Sequence, residues 1–267
     1  PSLRGDIKPM RKNNVTKGLF RAPIVAAIAV CGIACSASAI NYGDFAGLSV
    51  SYLGVEGSSV TDPVPLYGAP SIIGNTLDFD PKAYGATSSG GGAPDITDGQ
   101  LNFGVQANAG YGISSLKFSE AGDYTVVGNG TADTYVSVGA PIFVDIVEVD
   151  GVAIDPVQIQ GDVVFSPNAS GLFELPTDGG VAVIWKGSLS LDLNSALSDA
   201  GIAYDLGATL VNVVLDNTLI AQSEAASTSF IAKKDFKVGA VTIVPEPTSL
   251  ALALLGSLLL VPAMRRR

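Results

Sequence analysis

Between Ile40 and Val244 apolar residues come in short alternating runs, broken at close intervals by Gly, Asp, Asn and Pro. A period of two puts one set of side chains on a buried face, and the breakers mark turns. The pattern predicts strands over 47–53, 74–79, 100–107, 112–118, 123–127, 134–138, 142–149, 152–154, 161–165, 181–186, 209–220, 228–233 and 236–244. In 142–149, Ile142, Val144, Ile146 and Glu148 share one face, and Phe143, Asp145, Val147 and Val149 the other. Apolar residues on both faces suggest a strand held between two layers. Asp150-Gly151 suits a two-residue hairpin turn, which needs positive φ at both residues, and Asp178-Gly179-Gly180 reads the same way. One short helix is expected over 195–200, capped by Asn194 and ended by Gly201. Ser88 to Pro94 reads as a loose loop inside one strand-rich domain. The expected fold is all-β, a jelly-roll-like β-sandwich. Each large side chain buried in it contributes on the order of 2 kcal/mol before entropy is subtracted.

The two ends read differently. From Met10 onward, Arg11, Lys12, Lys17 and Arg21 form a basic region, 24–33 an apolar one, and Ala37-Ser38-Ala39 a small-residue cleavage site. Residues 1–39 are thus expected to be an N-terminal extension and a signal-peptide helix, with Ile40 the first mature residue. Ile33-Ala34-Cys35 partly fits a lipoprotein signal, but Gly32 stands where a large aliphatic residue is expected. Cys31 and Cys35 both fall in the removed segment, so the domain takes no disulfide staple.

The other end runs Pro245-Glu246-Pro247, an apolar segment, then Arg265-Arg266-Arg267. The uncharged stretch from Thr248 to Met264 is 17 residues. As a helix it reaches about 25 Å, short of the ~30 Å hydrocarbon core of a bilayer. The arginines would stay on the cytoplasmic side. This order of parts resembles the PEP-CTERM sorting signal of Gram-negative-type bacteria. The resemblance implies recognition by an exosortase, export through the secretion translocon, a membrane-held precursor, and delivery to the cell surface or extracellular matrix. The body phrases Ile96-Thr97-Asp98-Gly99-Gln100-Leu101, Ser119-Glu120-Ala121-Gly122-Asp123-Tyr124 and Val147-Glu148-Val149-Asp150-Gly151 resemble a body type recurrent in PEP-CTERM proteins, which brings no established activity. The expected division is 1–39, 40–244 and 245–267.

Charge narrows the function. The whole chain is −10, but 40–244 holds six Lys, no Arg, no His and 23 acidic residues, so 6 − 23 = −17. Such a body repels nucleic acid, whose binding needs cations on phosphate. Without His or Cys in the body, neither a Ser-His-Asp nor a Cys-His nucleophile can be assembled, and zinc lacks its usual ligands. A carboxylate pair could hydrolyse a glycosidic bond, but the sequence singles out no pair. Calcium takes carboxylate oxygens. Asp78 and Asp80 would share a strand face, and Asp95 and Asp98 would meet in a turn. Sugar stacking could use Tyr42, Tyr52, Tyr67, Tyr84, Tyr111, Tyr124, Tyr135 or Trp185. The expectation is a non-enzymatic, exported surface or matrix protein with a structural or adhesive role. The alternatives are a carbohydrate-binding module for extracellular polysaccharide, then a glycosidase-like hydrolase.

Overall fold

The computed structural model describes residues 38–244. Residues 1–37 and 245–267 lie outside the described residues. So do the signal-peptide helix, Ala37, the Pro245-Glu246-Pro247 motif, the apolar tail segment and Arg265 to Arg267. Among the described residues no helix is long and apolar enough to cross a membrane.

Alternation yields strands: β1 (Ser38–Ala46), β2 (Val50–Ser59), β3 (Ser71–Ile73), β4 (Thr76–Phe79), β5 (Gly85–Ser89), β6 (Asp95–Ala107), β7 (Gly112–Gly128) and β8 (Tyr135–Gly139). They continue with β9 (Pro141–Val149), β10 (Val152–Asp162), β11 (Val164–Ser166), β12 (Leu172–Glu174), α1 (Leu175–Asp178), β13 (Gly180–Asp192), α2 (Leu193–Asp199), β14 (Ala208–Gln222) and β15 (Ser227–Ile243). All pairings are antiparallel, within one 15-stranded sheet that folds back on itself like a sandwich. One half runs β10-β9-β14-β6-β2-β1, with β8 and β12 continuing along the far end of β14. The other runs β11-β13-β7-β15, with β4-β3 and β5 beyond it. The halves join where Ala208 of β14 pairs with Ile113 of β7.

Between them lies one core. From the first half come Tyr52, Leu101, Val144, Ile146 and Leu215; from the second Phe118, Tyr124, Trp185 and Phe236, all essentially inaccessible. Hydroxyls tie the layers: Tyr52 donates to Val238 O at 2.9 Å and to Asn75 O at 2.7 Å. Tyr67, from the loop after β2, packs edge-on against Phe79, Tyr84 and Phe236.

Several expectations change. The strands expected over 112–118 and 123–127 are one strand, β7, because Glu120 faces inward and does not end the strand. Those expected over 228–233 and 236–244 likewise fuse into β15. A register shift between Lys233 and Asp235 turns Lys234 outward, so that Lys233 and Phe236 both point into the core. β1 had no counterpart in the pattern; its burial is mixed because it is an edge strand. Ser38 and Ala39 pair there with Ser59 and Ser58, so cleavage after Ala39 would shorten β1 by two residues. β9 is not held between layers: Ile142, Val144 and Ile146 face the core, whereas Phe143 faces solvent.

The turns also sort out. Asp150 (φ 53°) and Gly151 (φ 78°) form the expected β9–β10 turn. Asp178-Gly179-Gly180 does not. Pro176 opens the one-turn helix α1 there, the Asp178 carboxylate accepts from Glu174 N at 3.1 Å, and Gly179 has φ −55°. The cap of α2 is Asp192, which accepts from Ser195 N at 2.9 Å; Asn194 lies inside the helix. Gly201, at φ 71°, ends the turn as expected.

Asp150 does more than turn the chain. Its carboxylate accepts backbone N–H from Asp205 (2.8 Å), Leu206 (2.6 Å) and Gly207 (3.0 Å), pinning the approach to β14. Desolvation raises its pKa, but the three N–H donors together outweigh that and hold it below the ordinary value. A depressed folded pKa gives stability that is full above the unfolded value of about 4 and fades as pH falls through the folded one. Asp150→Asn keeps one acceptor oxygen and loses the bond from Asp205. We expect urea unfolding to show a loss of about 1 kcal/mol near neutral pH. That difference should disappear in strong acid.

Candidate functional site

The outward face of the first half carries polar residues on neighbouring strands. Period two aims alternate residues of β9, β14, β6 and β2 away from the core, and the registers place them side by side. Gln160, Phe143, Val214, Asn102, Glu56 and Asn41 form one row across six strands. Beside it run Gln158, Asp145, Asn212 and Gly104. On the other side, Asp216 stands opposite Gln100 and Thr218 opposite Asp98.

Some of these groups hold one another. Asn102 Nδ2 donates to Gln100 Oε1 at 3.2 Å, and Thr218 Oγ1 to Asp98 Oδ1 at 2.8 Å. Burial raises the pKa of Asp216, and the charge of neighbouring Asp98 raises it further. Others stay open. Gln158, Gln160 and Asn212 are exposed, and Phe143 is 42% exposed. Phe143, Asp145, Gln158, Ile159 and Gln160 line a recess of about 430 Å³.

The face is acidic with no built-in cation. Every strand of this half lacks Lys and Arg. Lys117, Lys186, Lys233, Lys234 and Lys237 belong to β7, β13 and β15 of the other half, and Lys82 to the β4–β5 loop.

The residues expected to bind calcium do not form one site. Asp78 and Asp80 do lie together, with Asp235 of β15 as a third partner; one carboxylate oxygen from each falls within 4.8 Å of the others. Lys237 Nζ already serves that cluster, 3.0 Å from Asp235 and 3.4 Å from Asp78. Its bond to Asp235 raises the lysine's pKa, against some desolvation. Asp95 and Asp98 are not in a turn. Both belong to regular β6 and point to opposite faces: Asp95 accepts from Thr87 N at 2.7 Å, and Asp98 from Thr218.

The aromatic residues expected to stack on sugars are mostly elsewhere. Tyr52, Tyr67, Tyr84, Tyr124 and Trp185 are core residues, while Tyr42, Tyr111 and Tyr135 are half-buried. Phe143 was missed because it sits in an apolar run that reads as buried on both sides. Only its pairing with polar Gln160 marks it as outward.

Comparisons with known proteins add little to this. No protein-family model matches the chain. No curated protein matches it. Among solved structures, the carbohydrate-binding module TmCBM61 in complex with beta-1,4-galactotriose is 8% identical, covering 62% of this chain and 70% of that one, at a TM-score of 0.20. The family 12 xyloglucanase from Bacillus licheniformis is 9% identical over 77% of this chain and 100% of that one, at 0.21. The VP2 subviral particle of infectious bursal disease virus is 14% identical over 72% and 43%, at 0.29.

Proposed function

We propose that this domain is a non-enzymatic carbohydrate-binding module, a jelly-roll-like sandwich that holds a neutral polysaccharide on the β10-β9-β14-β6 face. The observation that carries the reading is the pair of adjacent rows that set exposed Phe143 beside Gln160 and Asn102 in one and Gln158, Asp145 and Asn212 in the other. Amide and carboxylate groups match the paired donors and acceptors of sugar hydroxyls, and an aromatic face packs against the C–H face of a pyranose. Absence of lysine from this half disfavours uronate-rich or sulfated chains, which the surface would repel. Hydrolysis fits less well. Of the two acids that stand near each other on this face, Asp98 already accepts from Thr218 Oγ1 at 2.8 Å, which ties it to the sheet rather than leaving it free as an acid or nucleophile.

Sorting and export belong to the same proposal. The chain would pass the translocon, be held by its C-terminal segment, be processed by an exosortase, and act at the cell surface or in the matrix. Affinity electrophoresis of the purified protein tests the binding half. Neutral galactans, glucans or xyloglucans should retard it and polyuronates should not. Free migration through every neutral polysaccharide would contradict the reading. Mass spectrometry of the native C-terminus tests the rest: a mature product still ending in Arg267 is incompatible with processing.

A further inference from the structure

Charged groups rarely enter a core, yet two do so here. Lys233 of β15 and Glu120 of β7 form an ion pair whose side chains are 0% and 1% exposed. The lysine ammonium lies 5.6, 5.3 and 5.1 Å from the ring centres of Tyr67, Tyr84 and Phe236. From the opposite layer, fully buried Asn217 of β14 donates Nδ2 to Glu120 Oε2 at 3.0 Å, the same oxygen that pairs with Lys233. One carboxylate oxygen therefore gathers an amine and a carboxamide. Asn217 Oδ1 and Glu120 Oε1 are buried without hydrogen-bond partners. The Asn217 backbone is fixed independently, its carbonyl accepting from the Tyr84 hydroxyl.

This is more than an ion pair needs. A carboxyl group shared by an amine and an amide, in a dry aromatic enclosure, is the equipment for acyl transfer between them. We propose that Lys233 and Asn217 form an intramolecular amide bond across the two layers, with Glu120 as the proton shuttle. Glu120 first takes a proton from the ammonium, leaving a free amine and a neutral carboxylic acid. Burial favours that transfer by lowering the lysine pKa, although the charge of Glu120 opposes it. The Nζ lone pair then attacks Asn217 Cγ, while the acid donates to Oδ1. As the tetrahedral species collapses, the Cγ–Nδ2 bond breaks. A proton from Nζ reaches Nδ2 through Glu120, ammonia departs, and the Oδ1 proton returns to Glu120 as the carbonyl re-forms. The product is one secondary amide and a protonated Glu120, with no oxidant, metal or co-substrate consumed. The buried charges are gone, and a covalent strut joins β14 to β15. Such a strut suits a domain without disulfides that works outside the cell.

Tryptic mapping of the purified full-length protein tests this directly. No Lys or Arg separates Gly187 from Lys233, so trypsin should release 187–233 if Lys233 is free. With the amide formed, cleavage after Lys233 is blocked. The peptide becomes 187–234, lighter by one ammonia, and its backbone yields no fragment ions between 217 and 233. Glu120→Gln should restore cleavage at Lys233 and the full mass. A wild-type peptide ending at Lys233 with unaltered mass overturns the proposal, whatever the variant does. Loss of ammonia with cleavage at Lys233 retained means a cyclic imide at Asn217 and overturns it too. So does loss of water, with Lys233 joined to Glu120.

Discussion

Replacing Glu120 by alanine is expected to cost the domain about 3–5 kcal/mol, the largest loss we foresee from one substitution. The variant leaves the Lys233 ammonium under three aromatic rings with no counter-charge, and Asn217 without the acceptor for its amide. It also removes the group that Lys233–Asn217 amide formation requires, so cross-linked and uncross-linked chains both lose by it. Urea unfolding followed by tryptophan fluorescence reads the change well. Trp185 is wholly buried, its strand pairs with β7, and its residue stands opposite Gly122, two positions from Glu120. Exchanging Glu120 for Leu and Lys233 for Met together should cost less than Glu120→Ala alone, because no charge is then stranded. A loss below about 1 kcal/mol for Glu120→Ala would show that the pair is not buried as described.

The second large effect is on binding. Phe143→Ala should weaken association with a neutral polysaccharide by about 2 kcal/mol, roughly 30-fold in Kd. Phe143 supplies the apolar platform of its row, and its neighbours Gln160 and Asp145 cannot stack. The fold should tolerate the change to within about 0.5 kcal/mol, since this side chain leaves the core untouched. Phe230→Ala is the matched control: its ring is 37% exposed, but on β15 of the other half. Equal weakening by both variants would mean that neither face is specific.

Much of the fold can be read directly from the residues. Period-two alternation located most strands, and Asp150-Gly151 located a hairpin, because both signals are local. What escaped depends on partners distant in sequence. Glu120 and Lys233 look like strand breaks until β7 and β15 pair over 16 registered positions and bury both. Asp95 and Asp98 look like a turn until β14 holds that segment straight. Asn194 looks like a cap, but Asp192 two residues earlier has the free β-region backbone and takes the role. The candidate face was the least legible part. Its members come from four strands, and no one strand carries enough of them to stand out. A tyrosine in an alternating run gives no sign of which way it faces, and five of the eight aromatic candidates turned inward.

The central claim is that the lysine-free face, rather than the rest of the surface, meets the glycan. Backbone amide chemical shifts of the isotope-labelled protein, titrated with an oligosaccharide of a neutral polysaccharide that retards it, test this residue by residue. The account predicts changes centred on Phe143, Asp145, Gln158, Gln160, Asn212 and Asn102, with β13 and β15 unmoved. Changes centred on β13 and β15, with Phe143 silent, would contradict it.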